Sequence, residues 1–276
     1  MTDERHVRID LGYDGRAFYG SQRQANVRTV QAELETAVAR ITGKQSRLAL
    51  AGRTDRGVHA VGQVASLTVL WQDGLERLRY GIDSVTPDDL VIFQVRDVGP
   101  EFHARFSAKS REYRYRVFAS ERAPVAIAGH VWHLKTRLLL DELNRASEWL
   151  LGRQDFRSFA GAGLGTENSQ VGTCRSIEVA AWRQLSGDLE PDGELFEFRV
   201  RANAFLPHMV RNLVGALIRV GNSEHDVNWF KRLLDERNRK QSPPAAPAHG
   251  LTLWSVAYDD RELEQIPGQD AGLEQE

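Results

Sequence analysis

The chain has 276 residues, of which 41% are hydrophobic and 27% charged, and its formal net charge is −2, so it is expected to fold as one large domain or two packed halves. The absence of any run of about 18 apolar residues excludes a membrane-spanning helix, and the charged N-terminus excludes a secretory signal. The single cysteine, Cys174, excludes an internal disulfide and a cysteine-cluster metal site, and together these features predict a cytoplasmic protein.

The first third of the chain predicts strands around a charged loop. Residues 7–13 alternate apolar and polar, which is typical of a half-buried strand, and Thr29 is expected to cap a helix that ends at Gly43. Residues 47–50 and 63–70 are predicted strands on either side of the stretch A-G-R-T-D-R-G-V-H-A-V-G-Q. Asp55 is therefore expected on a loop between strands, where catalytic groups usually lie.

The rest of the chain mixes strands and helices without a regular βαβ order. Asp141 is expected to cap a helix that is ended by Gly152. The other predicted elements are a strand at 111–118, a Gly- and Ser-rich loop at 158–173, a strand at 195–202, helices at 207–221 and around 229–234, and a last strand at 251–258. This order indicates an α+β fold with a largely antiparallel sheet.

The charge is unevenly distributed. The stretch 259–276 carries a net charge of −6 and is predicted to be a disordered acidic tail, which leaves the remainder at +4. The chain has 31 arginines and only five lysines. Arginine binds phosphate through a planar fork, which favours a nucleic-acid partner, whereas a genome-wide codon bias explains the same composition without one.

Asp55 is the first candidate for chemistry. A neighbouring arginine, Arg53 or Arg56, is expected to keep an aspartate ionised, which suits a nucleophile or a base but not a general acid. The alternative is an ordinary salt bridge on a surface loop. His59 and His103 have no metal-binding spacing, so no metal is expected.

Two further features indicate RNA or an anion. The window 101–118 interleaves basic and aromatic side chains, a composition typical of an RNA-binding surface, although a strand with one face in the core and one in water explains it equally well. Arg211 lies in the first turn of an apolar helix, where its charge opposes the helix dipole, so an anionic partner is expected. The alternative is an arginine that faces solvent.

Five motifs occur in the order of a known family. They are Y-D-G-R-A-F-Y-G-S-Q-R-Q, A-G-R-T-D-R-G-V-H-A-V-G-Q, F-H-A-R-F-S-A-K-S-R-E-Y-R-Y, N-A-F-L-P-H-M-V-R-N-L-V-G and A-P-A-H-G-L-T-L. Together they closely resemble the tRNA pseudouridine synthase A family over roughly residues 7–258. The resemblance implies a pseudouridine synthase fold, with two similar mixed α/β halves around a largely antiparallel central sheet. The halves are predicted at 1–105 and 106–258, with the acidic tail at 259–276.

The resemblance also implies the catalytic residues. Asp55 matches the catalytic aspartate. Tyr113 matches the tyrosine that stacks on the target uracil and is proposed as the base at C5. Arg211 matches the arginine that pairs with the aspartate.

Other positions are implied to contact the substrate. Arg53 matches the arginine that is associated with flipping the target nucleotide, and Leu251 matches a leucine of the uracil pocket. Further residues predicted to contact RNA are Arg23, Arg56, His59 and Arg111. The implied reaction is the isomerisation of uridine to pseudouridine at positions 38–40 of the anticodon stem-loop of tRNA, by a homodimer without cofactor or metal.

Two residues depart from the family pattern. The family usually has alanine where this chain has Arg56, and tryptophan where it has Ser21. Arg56 is expected to contact phosphate or to lower the pKa of Asp55 further, and Ser21 is expected to loosen local packing. The alternatives are a non-catalytic RNA-binding module on the same scaffold and an aspartate-dependent hydrolase, but the latter lacks a second carboxylate or metal ligands near Asp55.

Overall fold

A computed structural model describes residues 4–161, 172–186 and 193–259 of the chain. These residues form two compact units, of which the first contains residues 4–109 and 255–259 and the second contains residues 110–254. The predicted division between residues 105 and 106 stays a prediction. Most of the predicted loop at 158–173 and, apart from Asp259, the predicted acidic tail lie outside the described residues.

The first unit is built on four strands, which are β1 (Glu4–Tyr13), β2 (Ala49–Leu50), β3 (His59–Leu70) and β4 (Leu90–Asp97). Strand β1 pairs antiparallel with both β3 and β4, and β2 pairs antiparallel with β3. The apolar alternation in β1 buries Val7, Ile9 and Leu11 completely, as the sequence predicts.

Two helices complete the first unit, α1 (Val30–Thr42) and α2 (Leu75–Val85). The hydroxyl of Thr29 accepts a hydrogen bond from the Ala32 N–H, and α1 ends before Gly43, so both predicted boundaries are confirmed. Helix α2 has no clear signal in the sequence, because it buries only two residues, Leu78 and Ile82, and has no side-chain cap.

The second unit contains a second set of paired strands. They are β5 (Ser110–Ala119), β6 (Trp132–Leu134), β7 (Gly152–Asp155), β8 (Cys174–Leu185) and β9 (Glu194–Ala202). Four of them follow the order β5-β9-β8-β7 with antiparallel pairing, and β6 runs parallel to β5. The core side of β5 holds Tyr113, Tyr115 and Val117, and the strand confirms the one predicted at 111–118.

The helices of the second unit are α3 (Leu140–Glu148), α4 (Met209–Gly221) and α5 (Val227–Asp235). The prediction that Asp141 caps α3 is wrong: Leu139 precedes the helix without a capping side chain, and Asp141 lies in the first turn, where its charge favours the helix dipole. The helix also ends before Gly152, which belongs to β7.

Helix α4 begins two residues after the predicted start at residue 207. His208 adopts a left-handed conformation, with φ of 61°, immediately before Met209. The predicted apolar helix is confirmed, and its residues Met209, Leu213 and Leu217 are fully buried. The last strand, β10 (Leu251–Ala257), also forms where the sequence predicts it.

The described strands and helices are those of an α+β fold with mostly antiparallel pairing, which confirms the predicted fold class. None of the helices in the described ranges is both long enough and apolar enough to cross a membrane.

Candidate active site

Asp55 lies on the loop between β2 and β3, as the sequence predicts. The Asp55 carbonyl accepts a hydrogen bond from the Val58 N–H at 3.1 Å, and Gly57, with φ of 82°, completes this tight turn in a conformation that few other residues adopt readily. Asp55 is half-buried, whereas Arg53 and Arg56 on either side are exposed. The turn therefore places one carboxylate between two cations at the surface of the first unit.

The segment 19–21 runs alongside the Asp55 loop and is bonded to it. The Ser21 N–H donates to the Thr54 carbonyl at 3.0 Å, and the Thr54 N–H donates to the Ser21 Oγ at 2.8 Å. The guanidinium of Arg56 lies 4.1 Å from the ring centroid of Tyr19, a cation–π geometry. Contacts on both sides of Asp55 thus restrain its backbone.

Gly20 allows this close approach. Its φ is +95°, and a Cβ at this position would lie 2.9 Å from the Thr54 carbonyl oxygen, closer than such atoms pack. A glycine is therefore required here by both conformation and space.

The Thr54 side chain is held from the other side by a buried polar network. Its hydroxyl is 2.8 Å from the hydroxyl of Tyr13, to which the Gln63 side-chain amide donates at 3.2 Å. The same amide group accepts from the Gly52 N–H and donates to the Gly52 carbonyl. Burial raises the pKa of Tyr13 to about 12, against the opposing effect of its hydrogen bonds, so the phenol stays neutral at physiological pH.

Ser21 has the opposite effect to the one predicted. The sequence suggests that a serine in place of the family's tryptophan loosens packing, but Ser21 is fully buried and bonds Thr54 through both its backbone N–H and its hydroxyl. The small side chain brings an acceptor directly to the buried Thr54 N–H. Ser21 is therefore part of the support of the Asp55 loop.

Three of the arginines predicted to contact RNA are accessible in the first unit. Arg53 forms no hydrogen bond or ion pair with the residues that the structure describes, whereas Arg56 lies over Tyr19. Arg23 forms an ion pair with the buried Glu35 at 2.7 Å, yet its side chain remains 58% exposed. All three keep donors that a phosphate can reach.

His59 differs from these arginines because it is only 3% exposed. Its Nδ1 lies 3.2 Å from the Gly15 N–H, which donates to it, and 3.3 Å from a carboxylate oxygen of Asp14. Burial opposes ionisation of Asp14, but hydrogen bonds from Arg16 outweigh this effect and lower its pKa to about 2. His59 is therefore a support of the Asp14 turn, and its contact with RNA stays a prediction.

Tyr113 lies in the second unit, on the core side of β5. It is almost fully buried, and its ring meets that of Phe205 edge to face, with centroids 5.1 Å apart and planes at 88°. This pairing fixes the ring orientation. Phe205 belongs to the motif N-A-F-L-P-H, but in the sequence its apolar side chain is indistinguishable from that of an ordinary core residue.

Arg211 is the third residue of α4, and its backbone and side chain both bind the segment before β10. Its Nε donates to the Ala246 carbonyl at 2.8 Å, and the Ala246 N–H donates to the Arg211 carbonyl at 3.0 Å. A carbonyl is a dipolar acceptor rather than an anion, so the anionic partner expected for Arg211 stays a prediction.

The segment 246–251 connects the other predicted residues of the second unit. The Tyr115 hydroxyl donates to the Pro247 carbonyl at 2.8 Å, two residues along β5 from Tyr113. Leu251 follows as the first residue of β10 and is only 5% exposed. The segment 246–251 is therefore bonded to β5 and to the start of α4, and it ends at Leu251.

Arg111 and the outer arginines of β5 have protein partners. Arg111 donates to the Asn203 carbonyl at 3.0 Å. Arg114 and Arg116 pair with the fully buried Glu197 at 3.5 and 3.0 Å. The alternating arginines of β5 therefore build an ion-pair network, which favours the structural interpretation of that strand over a free basic surface.

Comparison with known proteins identifies the family. A family model described as tRNA pseudouridine synthase matches residues 12–107 and 146–259. Proteins named tRNA pseudouridine synthase A are similar over 92% of this chain: one from Bacillus pumilus is 37% identical over 99% of its own length, one from Chloroflexus aurantiacus is 40% identical over 89%, and one from Haemophilus influenzae is 35% identical over 91%.

The strands, the aspartate loop and these matches together define an RNA-modifying isomerase. The chain belongs to the tRNA pseudouridine synthase family, as the five ordered motifs predict.

Proposed function

We propose that this tRNA pseudouridine synthase isomerises uridines of the anticodon stem-loop, at positions 38–40, and that Asp55 is its catalytic carboxylate. The observation that carries the proposal is the restrained loop that presents Asp55. Thr54 is bonded to Ser21 through both backbone groups and to Tyr13 through its hydroxyl, so the residue before Asp55 has little freedom. A pre-organised carboxylate is what a group-transfer reaction on an enclosed base requires.

The reaction rearranges one base without adding or removing atoms. The bond between N1 and C1′ breaks, the detached uracil rotates, and a new bond forms between C5 and C1′. The C5 proton is then lost and N1 gains a proton. Because a stacked base is inaccessible, the target nucleotide is first flipped out of its helix at a cost of a few kcal/mol.

Asp55 is the group proposed to start this sequence. An ionised carboxylate can attack C1′, attack C6, or remove the proton at C2′, and each of these routes leads to cleavage of the bond between N1 and C1′. Arg211 is proposed to pair with Asp55 and orient it, as the family resemblance implies. Tyr113 is proposed to stack on the uracil and to assist removal of the C5 proton, and Leu251 to line the uracil pocket.

The exposed arginines supply the proposed contacts with the RNA backbone. Arg53 is proposed to assist base flipping, because its guanidinium is exposed two residues before Asp55. Arg56, Arg23 and Arg111 are proposed to bind phosphate.

Pseudouridine mapping of a tRNA transcript tests the substrate and the position. An unmodified transcript is incubated with the protein, treated with carbodiimide and read by primer extension, and new stops are expected only at uridines 38–40. A transcript with cytidine at those positions is the matched control and should give none. Binding without any stops would favour the non-catalytic RNA-binding module, and stops elsewhere would contradict the proposed region.

We also propose that the chain acts as a homodimer in the cytoplasm, where its tRNA substrate is found. The resemblance to the family supports both statements. Light scattering in solution should give twice the mass of one chain over a tenfold range of protein concentration. A single-chain mass throughout that range would contradict the dimer.

A further inference from the structure

A buried tyrosine of the second unit holds the segment 246–251 and has no role in the proposed chemistry. Tyr115 is completely buried, and its hydroxyl donates a hydrogen bond to the Pro247 carbonyl at 2.8 Å. Pro247 immediately precedes a short 3₁₀ turn, Ala248–Gly250. The phenol therefore holds the residue from which this turn begins.

The other end of the turn contacts the ring of the same tyrosine. Gly250 is buried, and a Cβ at its position would lie 2.6 Å from the Cζ and 2.8 Å from the Cε1 of Tyr115, closer than such atoms pack. The ring is itself held by Trp132, which it meets edge to face, with centroids 6.4 Å apart and planes at 85°. Tyr115 thus fixes both ends of the turn, Pro247 through a hydrogen bond and Gly250 through contact.

The residue before Pro247 carries the bonds to Arg211. The Arg211 Nε donates to the Ala246 carbonyl at 2.8 Å, and the Ala246 N–H donates to the Arg211 carbonyl at 3.0 Å. The proline ring fixes the φ of Pro247, here −53°, so a shift of its carbonyl moves the Ala246 peptide instead of being absorbed by rotation at φ. The orientation of the Arg211 guanidinium therefore depends on where Tyr115 holds Pro247.

The segment also approaches α4 closely, one turn after Arg211. A Cβ at Gly215 would lie 2.3 Å from the Pro244 carbonyl oxygen, so only a glycine leaves room for the backbone here. A displacement of the segment therefore changes its contact with the helix that carries Arg211.

The Tyr115 hydroxyl is also subject to the charge of Arg211. Burial raises the pKa of Tyr115 well above its ordinary value, and the positive charge of Arg211 acts in the opposite direction. Because burial has the larger effect, the phenol is neutral at physiological pH and keeps the proton that it donates to Pro247.

We infer that Tyr115 is a positioning residue for the isomerisation, because it fixes the backbone to which the Arg211 guanidinium is bonded. This inference rests on the proposed function, which gives Arg211 its role. Tyr115 is completely buried, so it acts through the backbone of Pro247 and Gly250 and not on the uridine. Loss of its hydroxyl should therefore slow the reaction without weakening the binding of tRNA.

The test removes the hydroxyl of Tyr115 and keeps its ring. Tyr115→Phe should lower the single-turnover rate at saturating tRNA by about 10- to 100-fold, since a displacement of about 1 Å at a reacting group costs up to this factor. The dissociation constant of an unmodified tRNA transcript should not change, because phosphate contacts supply most of the affinity. Gly250→Ala, which forces the turn away from the ring and leaves the phenol in place, should also lower the rate.

Tyr258→Phe is the matched control. The Tyr258 hydroxyl also donates to a backbone carbonyl, that of Ala104, at 2.7 Å, but neither residue belongs to the proposed site. This variant should therefore keep the wild-type rate. Equal losses of rate in the two phenylalanine variants would overturn the inference, because the loss would then follow from any missing tyrosine hydroxyl. Thermal unfolding of each variant shows whether a slower protein is also a less stable one.

A double variant tests whether Tyr115 acts through Arg211. Arg211→Lys keeps the positive charge but removes the Nε donor to Ala246, so adding Tyr115→Phe should slow this variant by less than about threefold. Multiplication of the two single losses would overturn the inference, because the two residues would then act independently. A wild-type rate for Tyr115→Phe or for Gly250→Ala would overturn it as well. Absence of turnover by the wild-type protein would instead refute the proposed function, whatever Tyr115 does.

Discussion

Replacing Asp55 with alanine should lower the rate of pseudouridine formation by at least about 10³-fold, because no other carboxylate of the described Asp55 loop can take its place. Affinity for tRNA should change little, since phosphate contacts supply most of the binding free energy and Asp55 carries no positive charge. The measurement is single-turnover release of tritium from tRNA labelled at C5 of uridine, with binding determined separately. Asp55→Asn, which keeps the shape of the side chain, should be as inactive as the alanine variant.

Asp88→Ala is the matched control for this experiment. Asp88 is an exposed aspartate of the same unit, in the turn before β4, and its removal should leave the rate unchanged. Residual turnover of Asp55→Ala within tenfold of wild type would reject the nucleophile or base role of Asp55. Loss of tRNA binding together with activity would instead indicate that the loop had unfolded, which thermal unfolding of the variant detects.

The parts of the fold that the sequence predicts are those with a strong local pattern. Strand β1 and helix α1 have regular apolar spacing, and α1 also has a threonine cap and a terminal glycine, so the local sequence specifies both boundaries. Helix α2 has only two buried residues, and β8 alternates buried and exposed positions irregularly because a bulge interrupts its pairing with β9. Their structure depends on tertiary contacts that no short window contains.

The same distinction applies to the candidate site. The position of Asp55 on a loop between strands follows from the flanking patterns, and the family resemblance supplies its chemical role. The contribution of Ser21 could not be predicted, because its partner, Thr54, is 33 residues away and the bond depends on the close approach that Gly20 permits. The sequence predicts that His59 contacts RNA, but the strand that it begins turns its side chain inward.

Ser21 and Arg56, the two departures from the family pattern, lie in the same local structure. Ser21 bonds Thr54, and Arg56 lies over Tyr19, so both departures contribute contacts between segment 19–21 and the Asp55 loop. The buried hydroxyl of Ser21 holds Thr54, and the cation–π pair with Tyr19 holds Arg56. Both neighbours of Asp55 in the chain are therefore restrained. The departures therefore form one local arrangement that keeps the aspartate in place.

Ser21→Ala should consequently reduce the rate of isomerisation by about 10- to 100-fold, since a displacement of about 1 Å at a reacting group costs up to this factor. The substitution leaves the buried Thr54 N–H without its hydroxyl acceptor, which costs about 1–3 kcal/mol and allows the residue before Asp55 to shift. The loss should appear in the single-turnover rate at saturating tRNA and not in the dissociation constant. Ser21→Thr, which keeps the hydroxyl, should recover most of the rate.

Ser158→Ala separates positioning from stability. Ser158 is also fully buried, and its hydroxyl accepts the Asn238 N–H at 2.9 Å and donates to the Leu233 carbonyl, so its removal should destabilise the protein by a similar amount. Ser158 and both of its partners lie in the second unit, outside the Asp55 loop. The single-turnover rate of Ser158→Ala should therefore stay within about twofold of the wild-type rate. If the two alanine variants lost equal stability and equal rate, Ser21 would be a structural residue only. A rate loss confined to Ser21→Ala would mean that the buried hydroxyl acts through the backbone of Thr54 on the position of the catalytic carboxylate.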